Sequence, residues 1–348
     1  MKLKSQPQNI IELIGLWGNV IPEPLLHTHI GFIFARAIIA ATDTGIFDAI
    51  AGNSKTADEI AEVCNLNKKA VKTILGTLSG VGYLKYSGDL YDLTPISRKW
   101  LVKNSPHSIR DFVIFMKILW EWFCNLESFL KTGEGIDYHD KFNSEQWEIY
   151  QKAMYCVAKI GADEIGKKTP VPKEAKEMID IGGSHGLFSV SVCRNHPGLH
   201  STILDLPEAI EKAKPLLEGQ NVENLVKYQA GNILTDDLEQ EKYDLVFISN
   251  LVHHFSENQN KEVCKKAFKA LRPKGLLVIQ EFIRPNTPDM ADQIGNCLDL
   301  FFAFTSSSGT WSIAEISSWQ KEAGFKIKKP LTFLTLPGVA QVIAEKSG

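Results

Sequence analysis

The chain has 348 residues and a formal net charge of −3, with 44% hydrophobic and 23% charged residues. This length and balance are typical of a globular protein with two domains, or with one domain and a large addition. The charge favours neither nucleic acid nor an anionic membrane as a partner.

Cysteine usage and apolar segments argue against a secreted or membrane protein. The six cysteines include no C-x-x-C pair, so the sequence predicts no zinc knuckle, no other metal site and no disulfide framework. The N-terminus lacks the apolar core of a signal peptide. The two most apolar windows, residues 30–51 and 112–123, each contain charged side chains. We therefore expect a cytoplasmic protein with reduced thiols and no membrane partner.

The first 105 residues carry the pattern of a winged-helix domain. Residues 10–50 have helical periodicity, and Thr56 with Glu59 has the spacing of a capping box that begins a helix. A second amphipathic segment, residues 68–79, is followed by two strand-like stretches on either side of Gly88. Helix, turn, helix and hairpin is the winged-helix order.

Two roles are open to this N-terminal domain. Lysines 68, 69 and 72 begin the helix that would contact DNA in a regulator, but acidic side chains lie nearby and no arginine accompanies them to contact guanine. We therefore expect no nucleic-acid partner. Residues 1–105 are predicted to be a dimerisation domain that packs against a second copy of the chain.

Residues 106–172 are predicted to form a helical connector. Two segments, 108–131 and 144–168, have the pattern of long helices rich in aromatic and methionine side chains. Such a stripe is usual in a protein core, and part of it is also suited to line a substrate pocket. The proline-containing stretch Thr169–Lys173 marks the end of the connector.

From residue 173 to 348, predicted strands and helices alternate. The strands lie near 178–181, 201–205, 226–230, 243–249, 275–282, 325–328 and 339–344. The helices lie near 186–195, 207–217, 257–271 and 312–323. The alternation predicts an α/β fold with a Rossmann-like, doubly wound sheet of seven strands. Such a sheet binds ligands beyond the carboxyl ends of its strands.

The first strand of this domain leads into a glycine-rich turn. Residues 178–186 and 201–205 form a strand, loop, helix, strand unit, and the second strand ends at Asp205. Glycine lets a ligand approach the backbone closely, and the helix that follows offers its free N–H groups. An acid at the tip of the second strand can accept hydrogen bonds from two ribose hydroxyl groups. The predicted ligand is therefore a nucleoside.

The spacing of the glycines distinguishes between nucleoside cofactors. A dinucleotide fingerprint needs glycine at 182, 184 and 187, but this chain has Ser184 and Leu187, and no P-loop sequence occurs. Asp180, Gly182 and Gly186 form an acid-x-Gly-x-x-x-Gly arrangement instead. This arrangement resembles motif I of the class I S-adenosylmethionine (SAM) methyltransferases.

Further segments extend the resemblance to nearly the whole chain, from about residue 25 to 345. The family is that of the small-molecule O-methyltransferases, which join a winged-helix dimerisation domain to a class I methyltransferase domain. The segments that carry it are residues 179–183, 204–207, 230–233, 244–247, 251–255, 271–281 and 323–325. The resemblance implies SAM as the cofactor, a small-molecule methyl acceptor and a homodimer.

The resemblance also implies which residues bind the cofactor. By position they are Asp180, Gly182, Gly183, Asp205, Leu206, Asn232, Ile233 and Ser249. Gly182 would lie against the amino acid portion of SAM, and Asp205 would hold the ribose. Asn232 stands where the family has an aspartate on the adenine side, and its carbonyl group can still accept a hydrogen bond.

Two residues match the catalytic positions of the family. His253 would be the general base that takes the proton of the attacking hydroxyl group, since neutral imidazole accepts a proton near neutral pH. Glu281, at the end of the fifth strand, would fix the tautomer of this histidine and stabilise the imidazolium that forms. Positioning of the hydroxyl group in line with the methyl carbon would supply much of the rate.

Some positions depart from the family pattern. Thr310 stands near the place of a second acid, His254 replaces an aspartate, Ser249 a lysine and Ser184 the middle glycine. The expected activity is methyl transfer to a hydroxyl group of a small apolar or aromatic metabolite of secondary metabolism, bound near the aromatic segment 299–305. The alternatives are a C- or N-methyltransferase, a member that catalyses another reaction, and a DNA-binding regulator that senses a nucleoside.

Overall fold

The computed structural model describes residues 4–136, 141–287, 293–306 and 308–348. The chain divides into two compact units, one ending at Glu121 and one beginning at Trp122. This boundary lies inside the predicted connector, residues 106–172. The division into three parts at 1–105, 106–172 and 173–348 stays a prediction.

The first unit consists of helices and one hairpin. The helices are α1 (Ile10–Trp17), α2 (Glu23–Leu25), a π-helical turn (Leu26–Ile30), α3 (Gly31–Asp43), α4 (Ile46–Ile50), α5 (Ala57–Val63), α6 (Lys68–Gly80), α7 (Pro95–Trp100) and α8 (Arg110–Phe123), whose last two residues belong to the second unit. The strands β1 (Leu84–Ser87) and β2 (Leu90–Leu93) pair antiparallel. The helix, turn, helix and hairpin order is therefore present in α5, α6, β1 and β2.

Helices α5 and α6 of this unit begin at side-chain caps. Thr56 accepts a hydrogen bond from the N–H group of Glu59, whose carboxylate accepts one from the N–H group of Thr56. The predicted capping box is thus confirmed at the start of α5. Asn67 caps α6 by accepting a hydrogen bond from the N–H group of Ala70. Both helices then bury an apolar stripe in the core of the unit.

The contacts of α6 weaken the DNA-binding alternative. Lys68 Nζ lies 3.0 Å from a carboxylate oxygen of Asp58 and 3.0 Å from one of Glu62. The first of the three lysines is therefore paired within the unit, which leaves less positive charge for a phosphate backbone.

The start of the first unit exposes apolar side chains. On α1, the side chains of Ile10, Ile11, Ile14 and Trp17 are more than half exposed, and Trp17 is 90% exposed. By length and composition, one helical stretch among the described residues, Glu23–Asp43, could cross a membrane. Core helices of soluble proteins pass the same test, so this stretch is weak evidence for a membrane span. A large exposed apolar patch is also typical of a protein interface.

The second unit alternates strands and helices. It begins with α9 (Leu126–Thr132), α10 (Ser144–Lys168), β3 (Glu177–Ile181), α11 (Leu187–Asn195), β4 (His200–Asp205), α12 (Pro207–Ala213), β5 (Val226–Ala230) and β6 (Tyr243–Ser249). It continues with α13 (Glu257–Ala270), β7 (Leu271–Phe282), α14 (Gln293–Thr305), α15 (Ile313–Glu322), β8 (Lys326–Ile327), β9 (Leu331–Thr332) and β10 (Val339–Glu345).

The strands of this unit form one sheet in the order β5-β4-β3-β6-β7-β10-β8, and β9 also pairs with β10. Strands β3 to β7 are parallel, whereas β10 is antiparallel to β7. The predicted doubly wound sheet of seven strands is confirmed along this path, and the short β9 is an eighth strand. The winding direction reverses between β3 and β6, so their carboxyl ends meet at a topological switch point.

Both faces of the sheet are apolar because helices cover both of them. Alternate residues of β6 point to opposite faces: Leu245 and Phe247 belong to one core cluster, and Val246 and Ile248 to another. A slip of one residue would exchange these two sets, so burial specifies the register of the strands. The same register specifies which residues stand at the strand ends.

Two predicted helices differ from the observed ones. Residues 108–131 do not form one helix, because α8 ends at Phe123 and α9 begins after Asn125, whose ψ is 14°. Helix α12 ends at Ala213, and the expected continuation to residue 217 is a 3-10 turn that contains Pro215. Proline has no N–H group for the next α-helical hydrogen bond.

Candidate functional site

The turn after β3 has backbone conformations that favour glycine. Gly182 and Gly186 have φ angles of 69° and 72°, and Ser184 between them has a φ of 49°. A Cβ atom at Gly183 would lie 2.6 Å from Cγ of Asp180. The turn therefore passes closely over the end of β3 and presents its backbone rather than side chains.

Replacing Gly183 by alanine is expected to lower the free energy of unfolding by about 1–3 kcal/mol, because the added methyl group overlaps the buried Asp180 carboxyl group. Gly76→Ala is the matched control, since it lies in α6 and its methyl group would meet no atom within 4 Å. That variant should be neutral or more stable. Thermal unfolding measures both, and an unchanged melting temperature in Gly183→Ala would contradict the close packing.

Asp205 joins the glycine turn to the end of β4. Its Oδ2 accepts a hydrogen bond of 2.7 Å from the N–H group of Ser184, and its Oδ1 accepts one of 2.8 Å from the N–H group of Leu206. Burial raises the pKa of the Asp205 carboxyl group to about 6, against the lowering effect of these two hydrogen bonds. The carboxylate predicted to hold a ribose is therefore oriented by the backbone on both sides.

Asp180 lies behind the turn rather than at its surface. Its side chain is 1% exposed, and its Oδ2 accepts a hydrogen bond of 2.7 Å from the hydroxyl group of Ser189 on α11. Burial, and to a smaller degree the neighbouring Asp205, raises the pKa of the Asp180 carboxyl group to about 7, against the lowering effect of the Ser189 hydrogen bond. Asp180 therefore supports the turn from its buried side.

Helix α10 contributes a residue that the sequence analysis missed. The Ser184 hydroxyl group donates a hydrogen bond of 2.6 Å to Oε1 of Gln151, which is buried. A buried polar side chain of this kind needs a partner. Ser184, which replaces the middle glycine, thus connects the turn to α10. In the sequence, a glutamine within a long aromatic-rich helix is the feature that could have indicated this contact.

The remaining predicted cofactor residues follow β5 and β6. Oδ1 of Asn232 accepts a hydrogen bond of 3.0 Å from the N–H group of Leu234, so one of its lone pairs is used within its own turn. The side chain of Ile233 is part of the core. Ser249, the last residue of β6, accepts a hydrogen bond of 2.9 Å from the amide group of Gln280. The contacts of these residues with a cofactor stay predictions.

His253 and Glu281 meet at the ends of neighbouring strands. His253 follows β6 in a 3-10 turn, Val252–His254, and Glu281 is the penultimate residue of β7. Nδ1 of His253 lies 3.0 Å from both carboxylate oxygens of Glu281. The residues are 2% and 0% exposed. The predicted pair is therefore in contact and shielded from water, where such a hydrogen bond is strong.

The ring of His253 is packed on two sides. Its centroid lies 3.8 Å from that of Phe302 on α14 in a stacked arrangement, and 4.1 Å from that of His254. Thr310, which stands at the predicted position of a second acid, is 2% exposed. Its N–H and hydroxyl groups donate hydrogen bonds of 2.9 and 2.7 Å to Oδ1 of Asp299, also on α14. The carboxylate of Asp299, on α14, therefore lies beside position 310.

Comparison with known families accounts for both units. Residues 128–326 match the model of the O-methyltransferase domain, and residues 26–103 match that of the O-methyltransferase dimerisation domain. The chain belongs to the O-methyltransferase family. This O-methyltransferase is thus an enzyme that uses SAM as its methyl donor. The predicted enzyme class and the predicted cofactor are therefore confirmed.

Similar proteins cover nearly the whole chain. The 3-hydroxy-5-methyl-1-naphthoate 3-O-methyltransferase of Streptomyces sahachiroi is 22% identical over 325 residues, which are 89% of this chain and 90% of that protein. The N,N-dimethyltransferase OxyT of Streptomyces rimosus is 24% identical over 324 residues, or 90% and 93%. The structure of human N-acetylserotonin methyltransferase in complex with SAM has a TM-score of 0.81 at 16% identity and covers 99% of this chain and 100% of that chain. This last likeness shows a shared fold.

Proposed function

We propose that this O-methyltransferase transfers the methyl group of SAM to a hydroxyl group of a small apolar or aromatic metabolite of secondary metabolism. The observation that carries the proposal is the contact of His253 Nδ1 with both oxygens of Glu281, at 3.0 Å each. A carboxylate on Nδ1 holds the proton at that nitrogen, so Nε2 carries the lone pair. A buried imidazole in this tautomer is suited to act as a general base.

Each residue of the pair has its own role in the proposed reaction. His253 would take the proton of the acceptor hydroxyl group at Nε2 as the hydroxyl oxygen bonds to the methyl carbon and the bond between that carbon and the sulfur breaks, so that S-adenosylhomocysteine would leave. Glu281 stabilises the imidazolium that forms. Phe302 covers one face of the imidazole ring, which keeps water from that face. When bound, SAM supplies a methyl group on a positively charged sulfur.

The glycine turn and Asp205 are proposed to hold SAM. Asp205 would accept hydrogen bonds from the ribose, Gly182 and Gly183 would lie against the amino acid portion, and Asn232 would face the adenine. The hydrogen bond from Ser184 to Asp205 supports this assignment, because it already joins the turn to the ribose-binding acid. Asp180, Leu206, Ile233 and Ser249 would complete the site from the adjoining strand ends.

The aromatic side chains of the second unit support a flat acceptor. Phe302 stacks on His253, and the neighbouring Phe301 and Phe304 contact the ring of Phe123 at 6.0 and 5.1 Å between centroids. Aromatic side chains favour flat apolar partners. The naphthoate-modifying relative from Streptomyces sahachiroi is consistent with this class.

We further propose a cytoplasmic homodimer formed through the first unit. The match of residues 26–103 to a dimerisation domain supports it, as do the exposed apolar side chains of α1. N-methylation is the second candidate reaction, because the relative OxyT is named an N,N-dimethyltransferase.

Calorimetric titration with SAM, and separately with S-adenosylhomocysteine, tests the cofactor site. We expect both to bind at one site per chain. The reaction is then tested with methyl-labelled SAM and a panel of naphthols, catechols and aromatic amines. Product NMR identifies the methylated atom: oxygen would support the proposal, and nitrogen or carbon would replace it with the corresponding alternative. Absence of binding by both nucleosides would overturn the assigned site.

A further inference from the structure

Residues 308–311, here called the strap, lie against the turn that carries His253. The Ser308 hydroxyl oxygen lies 3.0 and 2.8 Å from the carbonyl oxygens of His253 and Phe255, so its one proton is shared between these two acceptors. Nε1 of Trp311 donates one of 3.0 Å to the carbonyl oxygen of Val252. Three carbonyl groups around His253 are therefore held by two strap side chains.

The strap is itself anchored to Asp299. Oδ1 of Asp299 accepts hydrogen bonds from the N–H and hydroxyl groups of Thr310, at 2.9 and 2.7 Å. Gly309 beside it has a φ of 88°, and a Cβ atom there would lie 3.2 Å from the same oxygen. The strap thus bends closely around this carboxylate, in a conformation that favours glycine.

Helix α14 contacts His253 by two routes. Phe302 stacks on the imidazole ring, and Asp299, one turn earlier on the same side of the helix, holds the strap that binds the backbone. A helix that supports both the ring and the backbone can place Nε2 accurately. Small misplacements of catalytic groups cost much of the rate in enzymes.

We propose that Asp299 is a positioning residue for His253, acting through Thr310 and the strap. The proposal rests on the role of His253 given above. It requires an oxygen that accepts both hydrogen bonds from Thr310, which the amide oxygen of asparagine can also do. It does not require the negative charge of Asp299.

Asp299→Ala and Asp299→Asn form the central pair of variants. In the alanine variant we expect amide hydrogen exchange in residues 251–256 to speed up about tenfold, as two hydrogen bonds to a carboxylate are lost. The asparagine variant should stay within about threefold of the wild-type rate. With an acceptor from the panel, kcat should fall about tenfold or more in Asp299→Ala, with KM for SAM unchanged.

Glu164→Ala is the matched control. Glu164 accepts hydrogen bonds from the N–H groups of Leu334 and Thr335 and from the Thr335 hydroxyl group, away from His253. Glu164 also pairs with Lys168 at 2.6 Å, so its loss should lower the melting temperature at least as much as Asp299→Ala, without faster exchange in residues 251–256. Unchanged exchange in Asp299→Ala would overturn the proposal, as would an asparagine variant that behaves like the alanine variant. The exchange result does not depend on turnover, so it separates a failed strap from a failed assignment of the base.

Discussion

Replacing His253 by alanine is expected to reduce turnover by about 10²- to 10⁴-fold, the usual contribution of a general base. The affinity for SAM should stay within about threefold, because the ring of His253 contacts Glu281, Phe302 and His254 rather than the glycine turn. Steady-state kinetics with the acceptor found in the panel measures the first effect, and calorimetry measures the second.

Two further variants make this result specific. Glu281→Gln keeps the shape of the side chain and removes the charge that stabilises the imidazolium, so turnover should fall in this variant too, as it does in His253→Ala. His200→Ala is the control. His200 begins β4, at the end of the strand opposite to Asp205, and its ring contacts the carbonyl oxygen of Asn224. Turnover by His253→Ala close to that of the wild type would show that another group takes the proton.

Asp205→Ala is expected to weaken SAM binding by about 10²-fold or more. The carboxylate is proposed to accept two ribose hydrogen bonds, and hydrogen bonds to a charged group contribute about 1.5–3 kcal/mol each. The variant also leaves the N–H groups of Ser184 and Leu206 without the partner that now orients both loops. Calorimetric titration with SAM measures the effect.

The control for this variant removes the same charge elsewhere. Asp163 is an exposed residue of α10 that pairs with Lys167, and Asp163→Ala should bind SAM as the wild type does. If Asp205→Ala is folded by thermal unfolding and still binds SAM within about threefold, the assignment of the ribose to Asp205 is wrong.

Much of the second unit could be predicted because burial leaves a regular pattern. Strands buried on both faces are short apolar runs, and β3 to β6 lie within one residue of their expected bounds. Strand β9, two residues long, has too little sequence to carry such a pattern. The break between α8 and α9 at Asn125 was missed, because the apolar periodicity continues across it.

The contact between the two predicted catalytic residues agrees with their positions in the sheet, whereas their roles stay predictions. His253 lies in the turn after β6 and Glu281 lies near the end of β7, and because the carboxyl ends of these adjacent parallel strands open at one edge of the sheet, the two side chains are in contact. The residues that hold them were not predictable. Ser308 and Trp311 bind backbone carbonyl oxygens, which every residue has, so no residue-type pattern marks the partners.

The position of Asp299 could not be predicted from the sequence either. The sequence has threonine at position 310, which suggested that one acid was missing. The structure brings the Asp299 carboxylate to that threonine from α14, eleven positions earlier in the chain. Contacts between helices of this kind depend on packing that the local sequence does not encode.

Glu281 lies in a strand that is hydrogen-bonded on both sides, to β6 and to β10, whereas His253 lies in a short turn held by side chains. The acid is therefore the fixed member of the pair and the base the adjustable one. Substitutions around the turn can re-aim the imidazole toward a new acceptor while the carboxylate stays in place. Variation of acceptor preference by selection or by engineering should accordingly arise in the residues on either side of His253, 250–252 and 254–256, rather than in β7, as long as the strap still holds the turn.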